Sequence, residues 1–280
     1  MIKAQNLSIS VPELGPCTKK CPYCISKMTG AIRNPVTRYS TDQILNAISF
    51  AKDAGAQSLL ITGKGEPLQN LESVDDILRC NHYCNKSFAN VELQTNGLWL
   101  QKPENLEHSI FASITNIAIS VDSVKGLIRM APVFNTLHDM GKVTRLTLNV
   151  TPMLQTTMGT FKSIIHYCID SQINQLLMRK ITKPAKKGHN TLQAKWIDKN
   201  KCAELYDSFN LGMHKALAES GVLLRSLNHG EGVWDYHGIS CVAVDYCLQA
   251  KTQADETRSL ILMEDGHVRT HWDYESSIIF

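Results

Sequence analysis

The chain has 280 residues, 43% of them hydrophobic, enough to bury a sizeable core as one large α/β domain or as a domain with an appendage. Its 29 basic and 26 acidic residues leave a net charge of +3, too balanced to point to nucleic acid or a membrane surface. The chain has nine cysteines, an N-terminal MIKAQNLSIS with neither a basic stretch nor an apolar core, and no apolar run long enough to cross a bilayer. Together these predict a cytoplasmic protein with reduced thiols, where clustered cysteines suggest metal rather than disulfides.

In chain order, Leu7 to Val11 reads as a first strand, broken at Gly15 and Pro16, where a cysteine-rich loop begins. Ser40 and Gln43 have capping-box spacing and open a helix with Ile44, Leu45, Ile48 and Ala51 on one face, ended by Gly55. SLLIT (58–62) reads as a buried strand, with helix signals from Val74 onward. VELQT (91–95) is the next strand, stopped by Asn96 and Gly97, and IAISV (117–121) is another. Residues 127–140 read as a helix that Pro132 is expected to kink or to start later. LTLNV (146–150) is a strand, Phe161 to Ile169 is helical, and LLMRKI (176–181) is strand-like. This gives about six βα units, whose short apolar strands suit a parallel sheet buried on both faces. Such a run closes as a barrel or winds as an open sheet, and in both the site lies at the C-terminal strand ends.

Beyond Lys183 the pattern changes. Residues 183–200 read as a polar loop, and 201–221 as an amphipathic helix with Leu205, Phe209, Met213 and Leu217 along one face. Short strands are predicted at 223–225 and 240–244, and a hairpin at 259–263 and 268–271 around the turn Glu264–Asp265–Gly266.

The chemistry concentrates in Cys17-Thr-Lys-Lys-Cys21-Pro-Tyr-Cys24, spaced C-x3-C-x2-C. Three thiolates on one short loop suit three irons of a cubane cluster and leave the fourth iron open to a small molecule, whereas zinc usually takes four ligands from two separated pairs. A zinc loop or a purely structural cysteine loop stays open on spacing alone. Downstream, Thr62-Gly-Lys-Gly-Glu66-Pro67 follows the second predicted strand. Its glycines permit close backbone approach, and Glu66 offers a carboxylate to an ammonium, although alone the segment is a common turn.

The cysteine spacing, with Tyr23 just before the last cysteine, resembles the radical SAM superfamily. The segment Gly63–Pro67 resembles that family's Gly-Gly-Glu-Pro segment, with Lys64 between the glycines as a departure. The resemblance covers residues 7–182. It implies an α/β fold, a partial (β/α)6 barrel over residues 1–182, followed by a C-terminal α+β extension over 183–280 that caps the substrate. It implies that Cys17, Cys21 and Cys24 hold a [4Fe–4S] cluster whose open iron is chelated by S-adenosylmethionine. Reductive cleavage of that cofactor gives a 5′-deoxyadenosyl radical, which takes a hydrogen from an unidentified substrate. By the same resemblance Tyr23 lies by the adenine, and Gly63, Gly65, Glu66 and Pro67 hold the methionyl amino end. Asn96, Ser120, Asp122, Asn149 and Arg179, at successive strand ends, also touch the cofactor. The implied electron donor is a flavodoxin or ferredoxin. Alternatives are an activase that places a radical on a partner protein, a non-catalytic iron–sulfur electron-transfer or sensor protein, and a zinc-binding module.

The other cysteines, Cys80, Cys84, Cys168, Cys202, Cys241 and Cys247, read as small buried hydrophobes, with Cys241 or Cys247 as candidate hydrogen-atom donors. His229, His237, His267 and His271, near Trp234, Tyr236, Trp272 and Asp273, are candidates for a substrate pocket. Lys180, Lys183 and Lys186 suit either an anionic substrate or a solvated loop.

Overall fold

The computed structural model describes residues 2–85, 87–154, 160–184, 188, 190–227, 231–244, 256–272 and 277–280. Along the first half of the chain lie β1 (Lys3–Ser10), α1 (Ser26–Thr29), α2 (Thr41–Asp53), β2 (Ser58–Thr62), α3 (Leu71–Tyr83), β3 (Asn90–Thr95), α4 (Pro103–Leu106), β4 (Asn116–Val121) and α5 (Val124–Asp139). The second half carries β5 (Val143–Asn149), α6 (Phe161–Asp170), β6 (Gln175–Arg179), α7 (Leu192–Lys199), α8 (Cys202–Ser220), β7 (Val222–Ser226), β8 (Gly232–Tyr236), β9 (Ile239–Val244), β10 (Glu256–Leu262) and β11 (Val268–Arg269). Short 3-10 turns lie between several of them.

Backbone contacts group the chain into two units. The first comprises residues 1–20, 29–117 and 248–280, and the second residues 21–28 and 118–247. The boundary thus falls inside the cysteine loop and inside β4.

In the first unit the strand order is β11-β10-β1-β2-β3. β10, β1, β2 and β3 run parallel, with Leu7 opposite Leu260 on one side and Leu59 on the other. The strand from the end of the chain therefore lies beside the strand from its beginning. Leu7, Ile9, Leu59, Ile61 and Leu93 are fully enclosed. Each contributes about 1.5–3 kcal/mol by leaving water. Helix α2 opens with the expected capping box: Ser40 Oγ accepts from Gln43 N at 3.2 Å, and the Gln43 side chain accepts from Ser40 N at 2.9 Å. Ile44, Ala47, Ile48 and Ala51 form its buried face. The predicted hairpin is present, β10 pairing antiparallel with β11.

In the second unit the order is β4-β5-β6-β9-β8-β7. β5, β6 and β9 are parallel, while β9, β8 and β7 form an antiparallel meander. Helix α5 starts at Val124 and carries Pro132 inside, so the proline does not delay its start. The carbonyl that loses its helical partner belongs to Ile128, a residue on the exposed side of the helix. Residues 183–200 do not stay a loop throughout, because Thr191 caps α7 and Ala194 and Ile197 bury one stripe of it. That stripe is short and flanked by lysines, too weak a pattern to stand out.

Candidate functional site

In the first unit, Glu66 follows β2 and is 8% exposed. Its Oε1 accepts the Thr95 hydroxyl at 2.6 Å and the Leu68 amide at 3.2 Å, and its Oε2 accepts the Asn96 amide at 2.7 Å. Burial raises its pKa, and these three donors pull it back down. A carboxylate has room for about four hydrogen bonds, so Oε2 keeps acceptor capacity for a ligand's ammonium. Pro67 is buried directly after it and starts a 3-10 turn for which the Glu66 side chain is the cap.

The register explains this meeting. Ile61 pairs with Leu93 across β2 and β3, so Gly63 and Thr95 emerge level. Neither Gly63 nor Gly65 has positive φ. At Gly65 an added Cβ would lie 2.8 Å from Oε1 of Glu13, an exposed and flexible side chain that can move aside. At Gly63 it would lie 3.4 Å from the Val11 carbonyl, an ordinary contact.

Asn96 links Glu66 to the first cysteine. Its backbone N–H is on Glu66, while its Nδ2 reaches Cys17 Sγ at 3.7 Å and Thr18 Oγ1 at 3.4 Å. Gln69 clamps the same stretch by accepting from Thr18 N at 3.0 Å and donating to the Pro16 carbonyl at 3.2 Å.

In the second unit, Cys21–Met28 is anchored by its apolar members. Tyr23 and Met28 are buried with Ile181, Ala194, Ile197 and Cys202, and Cys21, Ile25 and Trp196 pack against them. The corrected helix α7 thus holds the cysteine stretch, with Trp196 5.7 Å from the Tyr23 ring. The Tyr23 hydroxyl donates to Asp122 Oδ2 at 2.5 Å, beyond the end of β4. Burial, then the charges of Asp122 and Cys21, raise its pKa well above the ordinary value, so the phenol stays protonated as a donor. The Thr151 hydroxyl donates to the Asp122 carbonyl at 2.5 Å. Asn149 and Arg179 are directly opposed across β5 and β6, both half-buried. Ser120 is half-buried on β4.

The predicted residues therefore assemble as Cys17, Asn96, Glu66 and Pro67 in one unit. In the other, Cys21, Tyr23 and Asp122 come together, with Asn149 beside Arg179. Among the described residues no three His, Cys, Asp or Glu side chains are gathered so that they could hold a metal ion. Sequence reasoning missed Gln69, Thr151 and Trp196 as supports, and none of the three carried a sequence signal, whereas Thr95 stood out in the Thr-Asn-Gly stop of β3.

Outside these groups, Cys241 is fully enclosed on β9, its thiol on the Ile239 carbonyl at 3.4 Å. Lys180 pairs with Asp207 and Lys183 with Asp198, each at 2.8 Å. Trp234 and Tyr236 lie on β8, with Tyr236 buried 5.4 Å from Phe161. His237 sits in the turn before β9, and His267 in the turn before β11. Lys186, His229, Cys247 and Asp273 lie outside the described residues. No described helix is long and apolar enough to cross a membrane.

The family model described as "Radical SAM superfamily" matches residues 16–147. The dual-specificity RNA methyltransferase RlmN of Desulfosudis oleivorans is 28% identical over 112 residues, covering 38% of this chain and 29% of that protein. RlmN of Magnetococcus marinus is 32% identical over 118 residues, covering 40% and 32%. The chain thus spans about a third of the length of these relatives. Among solved structures, Streptococcus suis SuiB bound to S-adenosylmethionine superposes with a TM-score of 0.59 at 14% identity, covering 95% of this chain and 60% of SuiB. The anSMEcpe structure with bound AdoMet and the Cp18Cys peptide gives a TM-score of 0.53 at 17% identity, covering 97% and 75%. These likenesses show the fold, a mixed α/β partial barrel built on parallel strands, as the sequence implied. The superfamily uses a [4Fe–4S] cluster and S-adenosylmethionine. On the match over residues 16–147, just under half of its length, this chain is similar to the radical SAM superfamily.

Proposed function

We propose that the chain is a radical SAM enzyme in which Cys17, Cys21 and Cys24 hold a [4Fe–4S] cluster and Glu66 receives the amino group of S-adenosylmethionine. The observation that carries this reading is Glu66, a buried carboxylate fixed by three donors with acceptor capacity left on Oε2. What supports the cluster is the chemistry of the donor set: three thiols on one short loop, each half-buried. When bound, the pair supplies reductive cleavage of the sulfonium and abstraction of a substrate hydrogen.

The protein's own part is positioning. Asn96 donates toward Cys17, and Gln69 holds the adjoining backbone. Tyr23 and Met28 keep the far side of the loop in the core. Gly63 and Gly65 leave room for close approach, and Ser120, Asp122, Asn149 and Arg179 face the cofactor's polar groups from strand ends. Residues 1–182 form the catalytic core in this reading, and 183–280 cap an unidentified substrate and exclude water. The electron comes from a flavodoxin- or ferredoxin-type protein in the cytoplasm.

The test is anaerobic reconstitution with iron and sulfide, followed by dithionite and S-adenosylmethionine. About four irons per chain and release of 5′-deoxyadenosine and methionine are expected. Zinc in place of iron, with no product, would return the chain to the binding-module readings.

A further inference from the structure

One 3-10 turn carries both Glu66 and the side chains that hold the approach to Cys17. The turn, Pro67–Gln69, is capped by Glu66 and ends at Asn70, the N-cap of α3. Gln69 N donates to the Glu66 carbonyl and Asn70 N to the Pro67 carbonyl, each at 3.0 Å, so residues 66, 69 and 70 sit on one internally bonded piece of backbone. Gln69 uses both ends of its amide on the two neighbours of Cys17: Oε1 accepts from Thr18 N at 3.0 Å, and Nε2 donates to the Pro16 carbonyl at 3.2 Å. Asn70 is 4% exposed. Its Nδ2 donates to the Pro12 carbonyl at 2.9 Å, and its Oδ1 accepts from Ser73 N at 3.2 Å.

The segment between β1 and Cys17 needs such support. Residues 12–18 form neither helix nor strand, so no ladder of backbone bonds sets their path. Asn70 ties the start of the segment at Pro12, and Gln69 ties its end on both sides of Cys17. A primary amide carries an acceptor and a donor side by side. It therefore matches a carbonyl and an N–H two residues apart, and a grip at two points fixes direction as well as place. A carboxylate has no donor for the Pro16 carbonyl, and an apolar side chain makes neither bond.

We infer that Gln69 is a positioning residue that sets Cys17 at a fixed distance from Glu66, so that one turn presents both the first cluster thiol and the carboxylate for the amino group. This rests on the reading of Cys17 as a cluster ligand and of Glu66 as the acceptor for S-adenosylmethionine. The consequence is a division of effects. Without Gln69, Cys17 still binds iron, while the spacing that lets one ligand reach both the cluster and Glu66 is lost.

The test uses the full chain with Gln69→Ala, Gln69→Met and Gln69→Glu. Met keeps the length of the side chain without its hydrogen bonds, and serves if Gln69→Ala does not fold. Glu keeps the acceptor for Thr18 N and loses the donor to Pro16. Hydrogen exchange at the Thr18 amide is read on the metal-free chain. Iron content, and equilibrium binding of S-adenosylmethionine per loaded cluster, are read on the reconstituted one. Gln69→Ala and Gln69→Met should each speed exchange at Thr18 and weaken binding by about tenfold, as loss of two hydrogen bonds implies, with iron content at the wild-type level. Gln69→Glu should fall between them and wild type. Unchanged exchange at Thr18 overturns the inference, as does faster exchange with unchanged binding. Iron content that falls in step with binding also overturns it, because Gln69 would then hold the metal rather than the spacing. If the wild type binds no S-adenosylmethionine, the reading of Glu66 fails, and exchange in the metal-free chain decides by itself whether Gln69 holds the neighbours of Cys17.

Discussion

Cys17, Cys21 and Cys24 are half-buried on a loop, whereas Cys80, Cys168, Cys202 and Cys241 are buried on helices and strands. Burial raises the pKa of Cys202 to about 11 and of Cys241 to about 12, and raises Cys168 further. A metal ligand must be a thiolate, so enclosure suits these thiols to packing and not to ligation. In the proposed reading the same residue type serves two purposes, and water access separates them. Glu66 is a third case. It is as buried as a core residue, yet three donors keep it polar and leave capacity for a ligand.

The largest effect expected from breaking this comparison is at the loop. Cys24→Ala should reduce iron to background after reconstitution and abolish S-adenosylmethionine cleavage, read by iron analysis and 5′-deoxyadenosine release. Retention of a stable cluster in that variant would end the distinction between the two sets.

Glu66 comes next, through pH. Its folded pKa lies above the ordinary glutamate value of 4.5 because of burial. The folded state therefore holds the proton more tightly than the unfolded chain. Its contribution to stability is full below the ordinary value and is lost as pH rises through the folded one. Ligand binding has the opposite sign, because an ammonium needs the carboxylate. Affinity for S-adenosylmethionine should fall as pH is lowered through the same window. Glu66→Gln should weaken binding by about tenfold or more and flatten that dependence. Titration calorimetry across pH reads both.

Tyr23→Phe removes the donor from the buried Asp122 carboxylate. We expect a loss of about 1–3 kcal/mol in denaturant unfolding, with iron content kept. Smallest is Cys168→Ala, which should cost about 1–2 kcal/mol by leaving a small cavity and should leave cluster loading unchanged. A drop in iron there would show that a buried thiol is part of the metal chemistry.

Local patterns were legible where short-range physics suffices. The apolar run of β2, the Ser40–Gln43 box and the β10–β11 turn each lie within a few residues, and the structure has all three. The cysteine spacing and the Gly63–Pro67 segment were likewise readable as motifs. The partners of those motifs were not. Tyr23 meets Asp122 across 99 positions and Ser10 meets Glu264 across 254, and no periodicity encodes such pairs. α7 was hidden because its buried stripe is two residues wide among lysines. β8 was missed because its burial does not alternate.

The most direct test of the central claim is electron paramagnetic resonance of the dithionite-reduced protein with and without S-adenosylmethionine, with Cys24→Ala alongside. It needs no substrate. The account predicts a reduced [4Fe–4S] signal in wild type that changes when S-adenosylmethionine is added, and no such signal in the variant. A wild-type cluster signal that S-adenosylmethionine leaves unaltered would mean that no iron is open to the cofactor, and would contradict the account.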